Sequence, residues 1–306
     1  MKAATAQIMA KDKNIINEYH LNRNQPGKPQ FAIHDLNDYL KKNKGNTTPP
    51  HIHSFYQIIW FKSGKGRHFV DFKAYEVFKN TVFFIAKSQV HYFDHHTHYK
   101  GVLIHFNETF LVQSDNETDF FLKYNIFSSP YQQPFCGIDK SMDRILDEYT
   151  RQIKRELAHE DTFGREELLR AYLKLFLIQI QRKKNESEQS EGSACSAPDE
   201  KRMQLAKFIS LVDEHYNQGL TVAEYANLLY ISPRTLSDIT RQALNKTPSL
   251  MIQERIILEA QRLLLHSNLN VNQIGYRLGF DDPSYFIKYF KKHTQVSPSA
   301  FRKSVS

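Results

Sequence analysis

The amino-acid sequence predicts a two-domain protein of mixed class, with a β-barrel in its first half and an all-helical second half. Three features of the 306-residue chain lead to this prediction. Short apolar stretches alternate with turn signals in the first half, a polar segment follows, and the periodicity after it is helical almost to the end. We therefore place domains at residues 1–182 and 201–306, joined by a flexible linker at 183–200.

The first domain is predicted to contain several short strands. Between residues 31 and 106, stretches such as SFYQIIWF and TVFFIAK are separated by glycine and polar residues, a spacing typical of a barrel or sandwich. The segment KSGKG at 62–66 predicts a hairpin turn, because its glycines can adopt positive φ.

Two amphipathic helices are predicted after Gly137. In IDKSMDRILDEYTRQIKREL and REELLRAYLKLFLIQIQRKK, apolar residues recur at steps of three and four. Such a pair either packs on its own barrel or also presents a face to a partner. We predict a homodimer that forms through residues 139–182. The following segment, 183–200, is nearly free of large apolar residues and cannot offset the entropy of ordering.

The composition favours a polyanionic partner and a reducing compartment. The net charge is +8 and the pI about 9.2, which makes nucleic acid the leading candidate. Cys136 and Cys195 offer neither a disulfide framework nor zinc-ribbon spacing. The N-terminus lacks the apolar core of a secretion signal, and no run approaches the ~18 apolar residues of a membrane span. We predict a cytoplasmic protein without a membrane partner.

One helical unit occurs twice in the second domain. LTVAEYANLLYISPRTLSDITRQALNKTP and LNVNQIGYRLGFDDPSYFIKYFKKHTQVSP each contain a short helix, a tight turn and a longer helix. This is the pattern of the helix-turn-helix, whose second helix enters the DNA major groove. A single unit is weak evidence because helical hairpins are common. Two units in tandem on a basic chain favour DNA binding.

The second helix of the first unit has a clear inward and outward side. Ser232 is predicted to cap it and Pro233 to begin it, with Leu236, Ile239 and Ala243 facing the core. The outward side chains can hydrogen bond to bases or pair with phosphate: Arg234, Ser237, Asp238 and Arg241.

The second helix of the second unit combines a basic face with an aromatic one. Asp282 is predicted to cap it and Pro283 to begin it, with Phe286 and Phe290 facing the core. The residues on or near the outer side are predicted to contact DNA: Ser284, Tyr285, Lys288, Lys291 and Lys292.

The last hundred residues resemble the DNA-binding domain of the AraC/XylS family of bacterial transcription regulators. IGYRLGFDDPSYFIKYFKKHTQVSPSAFRK matches the signature of that family. The resemblance implies two helix-turn-helix units joined by a rigid helix, here residues 249–266, that read successive major grooves about 10 base pairs apart. Asp238 and Thr240 depart from the family, which more often has a basic and an aromatic residue there. The first helix therefore either reads bases or chiefly sets position.

The family often joins this domain to a cupin-like sensor barrel, and residues 31–110 resemble one. The metal pattern of cupins would fall on His51, His53, Gln57 and His91. Gln57 stands where that pattern has a carboxylate, and a neutral amide is a poorer ligand for a divalent ion. We therefore predict no metal ligand, no cofactor and no catalytic residue.

The resemblance implies that the barrel binds a small-molecule effector instead of transforming it. His51, His53, Gln57 and His91 could hydrogen bond an organic acid or a sugar-like compound, and Phe55 could supply an apolar wall. Two other interpretations stay open. These residues could be ordinary barrel filling, or they could hold a metal after all.

The sequence thus predicts a transcription regulator, not an enzyme, that binds promoter DNA. Most members of the family activate transcription, so we expect an activator that contacts RNA polymerase. One alternative is a metal-dependent cupin enzyme with a nucleic-acid-binding tail, which would require stoichiometric metal and turnover. Another is a structural DNA-binding protein whose affinity for DNA responds to no effector.

Overall fold

The predicted architecture of a strand-rich first domain and a helical second domain is confirmed by a computed structural model of the chain. The structure describes residues 16–22, 30–94, 98–111, 126–127, 133–159, 163–190 and 199–304.

The described strands of the first domain form two five-stranded sheets. In spatial order the sheets are β1-β3-β8-β5-β6 and β10-β7-β4-β9-β2. The strands are β1 (Asn17–Tyr19), β2 (Phe31–Asp35), β3 (His51–His53), β4 (Tyr56–Ser63), β5 (Gly66–Val70), β6 (Lys73–Val77), β7 (Thr81–Ile85), β8 (His91–Phe93), β9 (Lys100–Phe106) and β10 (Phe135–Gly137). The segment predicted to be a hairpin turn does join β4 to β5, with Gly64 at φ 116°. The hairpin itself is wrong, because β4 and β5 belong to different sheets and the turn carries the chain from one sheet to the other.

Strand β4 is apolar along most of its length because both of its faces are buried. Ile59 and Phe61 point into the space between the two sheets. Ile58 and Trp60 point to the outside of their sheet, where they pack beneath two long helices. The central sheet is therefore covered on one side by the other sheet and on the other side by helices.

The helices of the first domain are α1 (Leu36–Lys42), α2 (Lys44–Thr47), α3 (Glu108–Leu111), α4 (Lys140–Leu157) and α5 (Arg165–Ser190). Asp139 caps α4 by accepting hydrogen bonds from the backbone of Ser141 and Met142. Its carboxylate also pairs with Lys183 of α5 at 2.8 Å. These contacts hold the two helices together at one end, and hydrogen bonds from Lys183 and Ser141 lower the pKa of Asp139.

Helix α5 continues beyond residue 183, where the sequence predicts the linker to begin. The Lys184 side chain is buried, with its ammonium 5.9 Å from the centroid of the Phe84 ring. Gln181 donates a hydrogen bond to Asn185 one helical turn later, at 2.9 Å. Packing on the barrel and side-chain pairing thus extend the helix into a polar sequence. Residues 191–198, including Cys195, lie outside the described part of the chain, and the linker boundaries stay a prediction.

The second domain consists of helices packed around two apolar clusters. The helices are α6 (Asp199–His215), α7 (Val222–Leu228), α8 (Pro233–Leu244), α9 (Pro248–His266), α10 (Val271–Arg277), α11 (Pro283–Thr294) and α12 (Pro298–Ser304). One cluster lies beneath α7 and α8, and the other beneath α10 and α11. Helix α9 contributes to both clusters, as expected of the rigid helix that joins two helix-turn-helix units.

Gly279 lies in the turn of the second unit, where only a glycine fits. Its φ is +84°, and a Cβ built on it would lie 1.9 Å from the carbonyl oxygen of Asn217. Asn217 belongs to the loop between α6 and α7. The turn of the second unit therefore approaches the backbone of the first, and this contact helps to fix how the two units are placed.

We predict that Gly279→Ala destabilises the second domain by several times more than Gly219→Ala. Gly219 also has a positive φ, +70°, but nothing lies within 4 Å of its Cβ position. The control variant should therefore cost about 1 kcal/mol in backbone strain, whereas Gly279→Ala adds a collision with backbone atoms. Denaturant unfolding of the full chain measures both. Equal losses for the two variants would show that the close approach to Asn217 is unimportant.

Candidate functional site

Three histidine side chains meet between strands β3 and β8. His51 and His53 lie on the same face of β3, and His51 pairs in register with His91 of β8. The ring centroids are 4.3 Å apart for His51 and His91, 4.8 Å for His53 and His91, and 5.0 Å for His51 and His53. The three side chains are at most 4% exposed.

The other two residues predicted to bind an effector are also buried at this end of the barrel. The Phe55 ring lies 4.4 Å from that of His53. Gln57 of β4 pairs in register with His105 of β9 and is 2% exposed. The ring of Tyr19 in β1 lies within 5.9 Å of those of His51 and His53.

Two more buried histidines, which were not predicted from the sequence, belong to this region. His68 of β5 lies 5.5 Å from His91, and His105 lies 6.1 Å from His53, between ring centroids. His105 occupies the same inward parity as Leu103 of β9, within the otherwise apolar stretch GVLIHFN. A single polar residue at an inward position of an apolar strand is the signal that could have identified it.

Burial keeps these imidazoles neutral. Desolvation lowers the pKa of His68 and of His105 to about 3. Desolvation, reinforced by the neighbouring imidazoles, lowers the pKa of His53 and of His91 well below the usual value. A neutral imidazole has one nitrogen that donates and one with a free lone pair. This end of the barrel therefore offers several nitrogen lone pairs.

The hydrogen bonds of the cluster are incomplete within the described residues. Nδ1 of His51 donates to the carbonyl oxygen of Pro49 at 2.9 Å, which leaves the lone pair on Nε2. Nδ1 of His53 and both ring nitrogens of His91 are buried without a hydrogen-bond partner. Each such buried atom costs about 1–3 kcal/mol of folding free energy. The arrangement therefore suits a ligand that forms bonds with these ring nitrogens.

The second candidate site is the outer face of helices α8 and α11. As predicted, the hydroxyl of Ser232 caps α8 by accepting from Thr235 N at 3.0 Å. The carboxylate of Asp282 caps α11 by accepting from Ser284 N at 2.8 Å. The next residue in each case is a proline at the first helical position. Local sequence thus fixes where both helices begin.

The exposed sides of both helices are mainly as predicted. Leu236, Ile239, Phe286 and Phe290 are buried, and Ala243 is half-buried. The predicted DNA-contacting residues that are exposed are Arg234, Asp238, Arg241, Ser284, Tyr285, Lys288, Lys291 and Lys292.

Two polar residues of α8 bond within their own helix. Ser237 is half-buried, and its hydroxyl donates to the carbonyl of Pro233 at 2.9 Å. Thr240 is fully buried and donates to the carbonyl of Ser237. The position where the family more often has an aromatic residue therefore faces the core of this domain.

Both domains match known protein families. Residues 40–173 match the model of the AraC-like ligand binding domain, and residues 225–304 match that of a helix-turn-helix domain. Together the two matches cover more than two thirds of the chain. The chain belongs to the AraC family of transcription regulators. It combines a ligand-binding domain with a DNA-binding domain, as the sequence analysis predicted.

Several known proteins are similar to this AraC-type regulator. The transcriptional activator RhaS of Escherichia coli K12 is 25% identical over 260 residues, which cover 83% of this chain and 87% of RhaS. The structure of ToxT from Vibrio cholerae with a bound unsaturated fatty acid is 16% identical, with a TM-score of 0.39 and coverage of 89% of this chain and 94% of ToxT. The C-terminal domain of AraT from Geobacillus stearothermophilus is 29% identical, with a TM-score of 0.32 and coverage of 33% and 84%.

None of the helices in the described part of the chain has the length and apolar character needed to cross a membrane.

We predict that Arg234→Ala and Lys288→Ala each weaken specific DNA binding by about 1–3 kcal/mol. Both side chains are exposed on the faces that would enter the major groove. Fluorescence anisotropy with a duplex selected by the full chain from a random-sequence pool measures the effect.

The matched control is Lys65→Ala, which removes an exposed positive charge from the turn between β4 and β5. It should leave the affinity for DNA unchanged. Wild-type affinity in both Arg234→Ala and Lys288→Ala would refute this assignment of the reading faces.

Proposed function

We propose that the chain is a cytoplasmic transcription activator that binds promoter DNA as a homodimer and is controlled by a ligand bound in its barrel. The observation that carries the proposal is an ion pair that joins the helix between the two DNA-reading units to the barrel. RhaS, which matches most of the chain, is described as an activator. We infer that activation occurs through a contact with RNA polymerase, which we therefore include among the partners. We also infer that the chain is not an enzyme.

The DNA-binding domain has suitable dimensions for two successive major grooves. Helix α9 has 19 residues and is therefore about 28 Å long, while successive grooves are about 34 Å apart. We assign direct reading of bases to the exposed residues of α8 and of the first turn of α11. Lys288, one turn further along α11, would also reach a base, while Lys291 and Lys292 would add contacts to phosphate, which are strong but carry little sequence information.

The ion pair lies between Asp71 of the barrel and Arg262 of α9. Nε of Arg262 donates to Oδ1 of Asp71 at 3.1 Å, and Nη2 donates to Oδ2 at 3.0 Å. The two side chains are only 12% and 8% exposed. Such a bidentate pair is geometrically specific as well as strong. It therefore holds α9 in one orientation against the barrel.

The carboxylate of Asp71 is also attached to the strand that carries His91. Its oxygens accept from Gln89 Nε2 at 2.7 Å and from Val90 N at 3.3 Å. The backbone N–H of Asp71 donates to the carbonyl of Val90 at 2.8 Å. Since Val90 directly precedes His91, a ligand that moves His91 also moves the carboxylate that holds Arg262. This is our proposed route from the ligand to the DNA-binding domain.

We assign ligand binding to the residues predicted for it: His51, His53, Gln57, His91 and Phe55. Their burial at one end of the barrel and the unpartnered nitrogens of His53 and His91 support this assignment. A second connection to the DNA-binding domain starts here too. Tyr19 of β1 contacts His51, and Ile16, just before β1, donates its backbone N–H to the carbonyl of Leu265 in α9 at 3.2 Å.

We propose that the dimer forms through residues 139–182, because α4 and α5 expose apolar side chains. Ile145 of α4 is 38% exposed, and Leu168 and Leu175 of α5 are 43% and 41% exposed. Leu168 and Leu175 lie two turns apart on one side of α5. The half-buried rings of Tyr149 and Tyr172 contact each other where the two helices meet. A second copy of the chain would cover this surface.

We predict that Asp71→Asn increases the affinity of the full chain for selected DNA by at least about fivefold. Loss of the charged pair releases α9 from the barrel, so both reading helices can align with successive grooves. Glu76→Gln is the matched control, since it removes an exposed carboxylate from the neighbouring strand β6. Unchanged or weaker DNA binding by Asp71→Asn would contradict the proposed role of the pair.

We predict that Leu175→Asp converts the dimer into monomers, because a carboxylate cannot be buried unpaired in an apolar interface. Sedimentation velocity of the full chain at several concentrations measures this change. Leu250→Asp places the same charge at a similarly exposed leucine of α9 and should leave the dimer intact. If Leu175→Asp remains a dimer, the interface lies elsewhere.

A further inference from the structure

We infer that His51, His53 and His91 bind one divalent transition-metal ion, and that this ion is the ligand that controls DNA binding. The metal site itself follows from the geometry of the three imidazoles. The regulatory role of the ion rests on the function proposed above. Among the described residues, these three histidines form a group whose potential ligand atoms all lie within 4.8 Å of one another.

The spacing of the rings is that of a three-histidine metal site. A zinc-like ion binds imidazole nitrogen at about 2.1 Å, which places the centroids of three coordinating rings about 5 Å apart. The observed separations are 4.3, 4.8 and 5.0 Å. The potential ligand atoms lie within 4.8 Å of one another, and binding of one ion would draw them closer together.

The hydrogen bond of His51 orients it as a metal ligand. Metal-bound histidines usually donate their other ring N–H to a carbonyl or carboxylate, which fixes the tautomer. Nδ1 of His51 donates to the carbonyl of Pro49 in this way, so the lone pair available for a metal ion is on Nε2. Nδ1 of His53 and both ring nitrogens of His91 are buried without a hydrogen-bond partner among the described residues. Coordination would satisfy them.

The same packing disfavours an organic effector between these rings. A planar molecule needs about 3.5 Å to the atoms on each side, hence about 7 Å between two rings. The separations of 4.3–5.0 Å are too small. An organic acid or a sugar-like compound, as expected from the sequence, therefore does not fit between these rings, which project from neighbouring strands of one sheet. A single metal ion does fit.

The type of donor selects the class of ion. Three neutral imidazoles suit iron, cobalt, nickel, copper or zinc rather than magnesium or calcium, which prefer oxygen ligands. The sequence favours a site without metal, because Gln57 stands where cupins have a carboxylate. With three neutral ligands the ion keeps its full charge, so we expect water or an anion at the remaining position. Coordination of His91 would then displace the adjacent Val90 and, through its hydrogen bonds, the carboxylate of Asp71.

The test uses the full chain, freed of metal by a chelator and dialysed. Zn²⁺ binding is followed by native mass spectrometry, and Co²⁺ binding by its visible absorption, which reports coordination number and nitrogen ligation. His53→Gln and His91→Gln remove one ligand each. His105→Gln is the control, since it removes an equally buried histidine outside the group of three.

We expect one ion per chain in the wild type and in His105→Gln, and at least about tenfold weaker binding in His53→Gln and His91→Gln. Circular dichroism establishes that each variant is folded. If either variant does not fold, the Co²⁺ spectrum of the wild type decides whether the ion is bound by nitrogen ligands. A wild type that binds no ion, a spectrum without nitrogen ligation, or ligand variants that bind as the wild type does would overturn the metal site.

DNA binding is measured on the same samples, with and without one equivalent of Zn²⁺. We expect the ion to change the affinity for selected DNA by at least about fivefold, and His91→Gln to abolish this response. Metal binding with unchanged DNA affinity would refute the regulatory role of the ion. Failure of the full chain to select any DNA would instead refute the proposed function, whatever the metal result.

Discussion

The space between the two sheets of the barrel must be filled by side chains from both, and this constraint determines much of the molecule. At one end the filling is apolar, with Phe61, Phe83 and Leu103 among the residues that pack there. At the other end the buried side chains include the imidazoles of His51, His53, His91 and His105 together with Gln57. Apolar packing supplies the stability of the sheet pair. The end that carries the imidazoles has less apolar packing and is therefore less stabilised, but it provides nitrogen atoms with lone pairs.

The carboxylate of Asp71 connects this interior to the second domain. It accepts hydrogen bonds from Gln89, Val90 and Arg262, so its oxygens are shared between the barrel and α9. A charge with so little exposure is tolerated only because all of these donors are present. A movement of the barrel or of α9 therefore changes the hydrogen bonds that the other makes to this carboxylate. Such a shared contact is a physical requirement for energetic coupling between two sites.

Local signals made the DNA-binding half predictable from sequence. Ser232 with Pro233 and Asp282 with Pro283 mark where helices begin, and these patterns need no knowledge of distant residues. His51, His53 and His91 could be grouped through strand parity and the resemblance to cupins. His68 and His105 were missed because their proximity depends on which strands pair. The contact between Asp71 and Arg262 spans 191 residues of sequence and leaves no local pattern. The extension of α5 to Ser190 also depends on packing against the barrel.

The turn that presents Asp71 has an unusual composition for its shape. Asp71 and Phe72 alone separate β5 from β6, with φ of 44° and 67°. Such two-residue turns normally use Asn-Gly, since positive φ strains other residues, phenylalanine especially. Both side chains instead reach the second domain: Asp71 pairs with Arg262, and the Phe72 ring lies 5.7 Å from that of Phe301. An unstrained Asn-Gly turn would make a more stable hairpin, but it would lack the side chains that contact the second domain. Contact between the domains is therefore maintained at the expense of local stability.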